Sequence, residues 1–197
     1  MKDENLLKIF NDIYKDIDGF NLSISERRKL NLDDKTLVYG EIKSQTFLDL
    51  LKKANISQND IFYDLGSGTG KAVVLAMLFF NIKKSVGIDI LYSLVEAANE
   101  VKNKFIEKGF DNFKNVFFIR DDFLNFDFSD ATLIFAHSTC LTDDQIKKLE
   151  EKCLLLKPGS RIILVTKTFS SSNFEIIYKG ETEFSWGVGT VSIYLKN

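Results

Sequence analysis

One proline, two cysteines, one histidine and one tryptophan in 197 residues leave little with which to build linkers, staples or metal sites. Cys140 and Cys153 are not in C-x-x-C spacing and His137 is the only histidine, so neither a zinc site nor a disulfide framework is expected, and both cysteines read as reduced thiols. No metal is expected. No proline-rich linker, repeat or low-complexity tract interrupts the chain, which reads as one domain, residues 1–197, with a helical extension and pre-pocket loop over 1–58 and the main fold over 59–197. Neither sign of charge dominates: 26 basic and 28 acidic residues are interspersed, so the footprint of a stable nucleic-acid binder is missing. No long apolar run is present either. The longest, Ala72 to Phe80, is too short to span a bilayer, and Met1 to Asn5 carries acids where a signal peptide has a cationic region. A soluble, cytoplasmic chain is expected, with the nucleus left open and with no membrane partner.

What is present is apolar residues, 45% of the total, arranged in two periods. Leu6, Phe10, Ile13 and Ile17 lie on one helical stripe, which predicts a helix over 3–18 that stops at Gly19. Ser23-Ile-Ser-Glu26 matches a capping box and predicts a short helix through Leu30. Another amphipathic helix runs from Ile42 to Ala54, and Thr36 to Glu41 between them reads as a loop. From Asp60 strands are predicted near 60–65, 85–90, 115–120, 131–136 and 160–166, alternating with helices near 70–80, 92–108 and 142–155; Thr142-Asp-Asp-Gln145 caps the last. Phe174 to Tyr178 and Thr190 to Leu195 complete an antiparallel hairpin. The fold class is therefore α/β, a Rossmann-like, mostly parallel sheet with N-terminal helices and a C-terminal hairpin.

The chemistry concentrates in Asp64-Leu-Gly-Ser-Gly-Thr-Gly-Lys71 and in Asp89, nineteen residues after Gly70. A strand running into alternating glycines lets a ligand approach the backbone, and an acid ending the next strand can grip ribose hydroxyls. The dinucleotide spacing G-x-G-x-x-G fails because the third glycine comes one place early, and the phosphate loop fails because Lys71 precedes Ala72 rather than a hydroxyl. Acid-x-G-x-G-x-G fits S-adenosylmethionine as the cofactor. Polar residues end the first four predicted strands: Asp64 with the loop Gly66, Ser67, Gly68, Thr69 and Gly70; Asp89; Asp121 and Asp122; and His137-Ser-Thr139. Asp89 suits the ribose, or else a helix N-cap. Asp122 with Phe123 suits an adenine amine and ring face, or else a loop acid beside a core phenylalanine.

These residues resemble the seven-strand, non-SET lysine methyltransferases, especially the catalytic domain of the disruptor-of-telomeric-silencing histone methyltransferases. Tyr39-Gly-Glu41 resembles that family's pre-pocket loop, Asp64 to Gly70 its cofactor loop, Gly87-Ile-Asp89 its acid strand and Asp122-Phe-Leu124 its adenine segment. Leu156 to Arg161, Phe184-Ser-Trp-Gly187 and Val191-Ser-Ile-Tyr194 look like its last strands. The chain is also similar to the small archaeal protein-lysine methyltransferases, which lack nucleosome-binding extensions. The resemblance implies that Tyr39, Gly40, Glu41, Ile42, the stretch Phe62 to Lys71, Asp89, Asp122 and Phe123 contact S-adenosylmethionine, with Asp64 and Glu41 near its methionine part. It implies a protein substrate with an exposed lysine. Two departures concern the acceptor: His137-Ser-Thr139 stands where the histone enzymes have Asn-Asn-Phe, and Ile193 stands at their channel tyrosine, with Tyr194 beside it. Trp186 and Tyr194 are the candidate channel aromatics, with core packing as the other use of Trp186; His137 is either the group that orients or deprotonates the acceptor or a structural histidine. A small-molecule or nucleic-acid methyltransferase and an inactive cofactor-binding paralogue are the alternative functions.

Overall fold

The computed structural model of the chain describes residues 2–184 and 187–197. Five parallel strands, β1 (Ile61–Leu65), β2 (Lys84–Asp89), β3 (Val116–Arg120), β4 (Leu133–Ala136) and β5 (Arg161–Val165), are joined by the antiparallel pair β6 (Phe174–Phe184) and β7 (Gly187–Lys196). Spatial order is β3-β2-β1-β4-β5-β7-β6. The chain reverses direction across the sheet between β1 and β4, so the carboxyl ends of β1, β2 and β4 open onto one crevice, the place where such sheets hold ligands.

Strands buried on both faces need cover on both. Helices α1 (Lys2–Tyr14), α3 (Ser44–Lys53), α4 (Lys71–Phe80) and α5 (Tyr92–Glu107) pack one face around Phe47, Phe62 and Phe105. On the other side α6 (Asp143–Cys153), with Leu124, Phe128 and Phe169, covers Ile134, Ile162 and Tyr194. α4 is apolar nearly all round because it is wedged between sheet and outer helices, which is why seven of its residues are buried.

The predicted strands and the helices of the main fold lie within about two residues of those observed, the usual fraying of boundaries. Thr142 and Gln145 form both arms of their capping box. The hairpin is longer than expected, with a bulge between Ile176 and Tyr178. The N-terminal region departs more. α1 ends at Tyr14, and Gly19 does not stop it but opens α2 (Gly19–Lys29), because Asp18 accepts from Asn21 N at 3.0 Å and is the true cap. Ser23 therefore sits inside α2, buried, and the Ser23–Glu26 capping box does not form.

Below the crevice, Asp60 anchors the sheet's far end. Its carboxylate accepts from Arg161 Nη2 at 2.8 Å, Thr132 Oγ1 at 2.6 Å and Ser57 N at 2.6 Å. Burial pushes its pKa up, but these donors outweigh burial and hold it below the usual carboxylate value. Asp60→Ala strands a largely buried guanidinium, and chemical denaturation should show a loss of about 3–5 kcal/mol at neutral pH. Because the folded pKa is depressed, this contribution is complete above the unfolded value and fades as pH falls through the folded one, so the two proteins should converge in acid.

Candidate active site

The glycine loop departs from β1 at Gly66, and both Gly66 N and Ser67 N donate to Ile88 O, at 2.9 and 3.0 Å, tying the loop to β2. Gly68 has φ of +54°, and a Cβ there would lie 2.4 Å from the Tyr39 ring. Only glycine fits. Asp89 then locks the loop in place: one carboxylate oxygen accepts from Gly68 N at 2.8 Å and the other from Leu91 N at 2.9 Å. The acid thus holds the turn before α5, and each oxygen retains capacity for a further hydrogen bond.

A cleft of about 220 Å³ opens above this turn, walled by Ile90, Leu91, Leu94 and Leu141, with Asp89, Asp122 and Phe123 on its rim. A smaller cavity continues from it past Gly66 and Gly68 to Asp64, Glu41 and Lys71, and Tyr39, Gly40, Gly66 and His137 line both. A segment around a 3-10 turn, Lys35–Leu37, roofs the cleft with Asp34, Thr36 and Val38.

Asp64 is 4% exposed, and among the described residues no hydrogen-bond donor reaches its carboxylate. Burial, and then the nearby Asp89, push its pKa well above the ordinary value. Burial also raises Asp89, only partly offset by the amides of Leu91 and Gly68. Two desolvated acids side by side, one without a donor, form a site that a cationic donor group would relieve.

Around them, Tyr39 donates to Glu41 Oε1 at 2.7 Å and pairs with Thr69 Oγ1 at 3.0 Å; Glu41 Oε2 accepts from Lys71 at 2.6 Å. Tyr14 from α1 donates to Thr69 O. Thr69 and Gly70 shape the loop rather than line either cavity: Thr69 is buried, and a Cβ on Gly70 would meet the Phe118 ring at 2.3 Å. Asp122 receives Leu124 N at 2.9 Å and Asn125 Nδ2 at 2.9 Å, so it also serves as a turn acid. His137 closes β4 where the two cavities meet, edge-on to Phe184 with ring centroids 5.2 Å apart, and burial lowers its pKa.

Tyr194, expected in the acceptor channel, is a core residue instead: it is 2% exposed, packs against Phe169 and Phe174, and accepts from Phe169 N at 3.1 Å. The reason is register. Tyr194 pairs with Ile162 on the α6 face, whereas its neighbour Ile193 faces the opposite core. Trp186 lies outside the described residues. The apolar walls Ile90, Leu91 and Leu141 escaped sequence reasoning, and only their position just after strand ends, beside Asp89 and His137, signals them.

A family model described as histone methylation protein DOT1 matches residues 22–193. Among curated relatives, an H3 lysine-79 specific histone-lysine N-methyltransferase of Caenorhabditis elegans is 29% identical over 156 residues, 75% of this chain and 16% of that protein. A protein-lysine N-methyltransferase of Saccharolobus islandicus is 32% identical over 115 residues, 58% of this chain and 66% of that one. The chain thus spans only part of these relatives' lengths. Among solved structures, an RNA methyltransferase from Salinibacter ruber in complex with S-adenosyl-L-homocysteine has a TM-score of 0.63 at 24% identity, covering 79% of this chain and 93% of that one. Magnesium protoporphyrin IX methyltransferase from Synechocystis, with bound SAM, has a TM-score of 0.63 at 13% identity, covering 92% and 98%. Their acceptors differ, so the likeness carries the fold alone.

If Asp64 is held buried without a donor, Asp64→Asn should raise the melting temperature at neutral pH. With a folded pKa above the unfolded one, the penalty is absent below the unfolded value and grows as pH rises toward the folded value. The melting temperatures of the two proteins should therefore meet near pH 4 and separate above it, whereas a constant gap would show that charge is not the cause.

Proposed function

The chain belongs to the family of histone methylation protein DOT1, and on that footing we propose that it is an S-adenosylmethionine-dependent methyltransferase whose acceptor is the side-chain amine of a protein lysine. The observation that carries the donor half is the buried Asp64 carboxylate, which no donor among the described residues reaches, set beside Glu41 in the narrow cavity beyond the glycine loop. Such a place accepts an ammonium group, and the methionine end of the donor presents one. Lys71, already paired with Glu41, stands where a carboxylate would be matched.

The remaining residues fit the other parts of that molecule. Asp89 keeps a lone pair on each oxygen for vicinal ribose hydroxyls. Leu91, Leu94 and Leu141 give a purine an apolar slot, with Phe123 at one edge and Asp122 as acceptor for an exocyclic amine. The donor, when bound, supplies an electrophilic methyl on a positively charged sulfur.

The acceptor half rests on the family and on His137. A lysine must lose its proton before its lone pair can attack, which costs about 4–5 kcal/mol at neutral pH. His137, kept neutral by burial, lies at the junction of the two cavities, where a neutral imidazole suits the role of base. Phe184 packs edge-on against the His137 ring, and Trp186, two residues on in the sequence, is proposed as an aromatic of the acceptor channel.

Calorimetry should detect S-adenosylmethionine binding to the wild type and none to Asp89→Ala or Gly68→Val; unchanged affinity in both variants would remove the donor assignment. With labelled donor and cell lysate as acceptor source, His137→Ala should lower methyl incorporation by about a hundredfold while donor affinity changes little. Equal incorporation would reduce His137 to a structural residue.

A further inference from the structure

Helix α5 begins at the donor cleft without a cap of its own: Leu91 occupies the N-cap position and makes no side-chain cap. An uncapped first turn leaves backbone amides without partners. Here two carboxylates satisfy three consecutive amides from different parts of the chain. Asp89 takes Leu91 N, and Glu26, sixty-six residues away on α2, takes Tyr92 N at 2.9 Å and Ser93 N at 2.7 Å, with Ser93 Oγ at 2.5 Å. Ser93 Oγ also reaches Leu22 O at 3.4 Å, so α2 and α5 are joined at this point. From the other side, Arg120 at the end of β3 donates to Ile90 O at 3.3 Å and lies 5.6 Å from the Tyr92 ring. Every residue from 89 to 93 is therefore gripped. Those residues carry the acid and two of the apolar walls of the cleft.

We propose that Glu26 is a positioning residue for the donor: by capping α5 from the N-terminal extension it fixes the 89–93 turn, and so sets the Asp89 carboxylate against both the glycine loop and the ribose. The inference rests on the donor reading above and adds to it that α2 belongs to the donor site without touching the cleft, for Glu26 is not among the residues that line it. The carboxylate is well suited to the role, since an anion on a helix N-terminus is favoured by both the free amides and the helix dipole. Burial pushes the Glu26 pKa up, and the Ser93 and Tyr92 donors outweigh it to hold the group ionised. Glycine or alanine on α2 at this place would leave the amides of Tyr92 and Ser93 to water and the turn to fluctuate.

The test uses the full chain, S-adenosylhomocysteine as probe, calorimetry for affinity and amide hydrogen exchange for the turn. Glu26→Ala should bind about tenfold more weakly, and Glu26→Gln, which keeps one acceptor oxygen, about threefold, with faster exchange confined to residues around Tyr92 and Ser93. Asp18→Ala serves as control because it removes α2's own cap without touching α5. It should lower the melting temperature and keep wild-type affinity. Affinity within about twofold of wild type in both Glu26 variants overturns the proposal. So does an equal loss in Asp18→Ala, which would make α2 stability the cause. A wild type that does not bind the probe would instead overturn the donor reading, and the Glu26 role with it.

Discussion

Everything in the crevice depends on one carboxylate used twice. Asp89 spans Gly68 N and Leu91 N, and with those two bonds it ties the end of β1, through the glycine loop, to the start of α5 after β2. The sheet order makes this possible by placing β1 and β2 side by side in parallel, so that a loop and a turn leave the same edge. Burying that acid next to Asp64 is costly, and the cost appears as raised pKa values in both. Two desolvated acids at the carboxyl edge of the sheet cost stability, a cost that functional sites commonly carry.

The parts of this arrangement that follow from local chemistry could be read in the residues. Alternation of apolar runs with amphipathic stretches located each strand and helix of the main fold, and the glycine spacing with Asp89 located the cleft. What escaped was set by distant contacts. The Ser23–Glu26 pattern is a sound capping signal, but Asp18 captures the helix start and Glu26 serves another helix, a use visible only once α2 lies against α5. Tyr194 was misplaced for a different reason: adjacent strand residues face opposite sides, so an assignment resting on the neighbour of a family position fails by one pleat. The apolar wall of the cleft carries no motif at all, since leucines beside a strand end look like any core.

The N-terminal helices are more than an appendage. Tyr14 from α1 reaches the glycine loop at Thr69 O, Tyr39 packs on Gly68, and Glu26 caps α5, so three separate points of residues 2–58 contact the framework of the cleft. The match to the family begins at residue 22, within this region. On the acceptor side the chain departs from the resemblance at two positions: His137, which lines both cavities, and Ile193, which is buried in the core on the face opposite Tyr194.

The central claim is methyl transfer to protein lysine. The most direct measurement is transfer of isotopically labelled methyl from S-adenosylmethionine to fractionated cell lysate, with peptide mapping of the labelled product. The account predicts label in protein, mapped to the side-chain amine of lysine. Label confined to nucleic acid or to the small-molecule fraction, or no transfer by a protein that binds the donor, would contradict it.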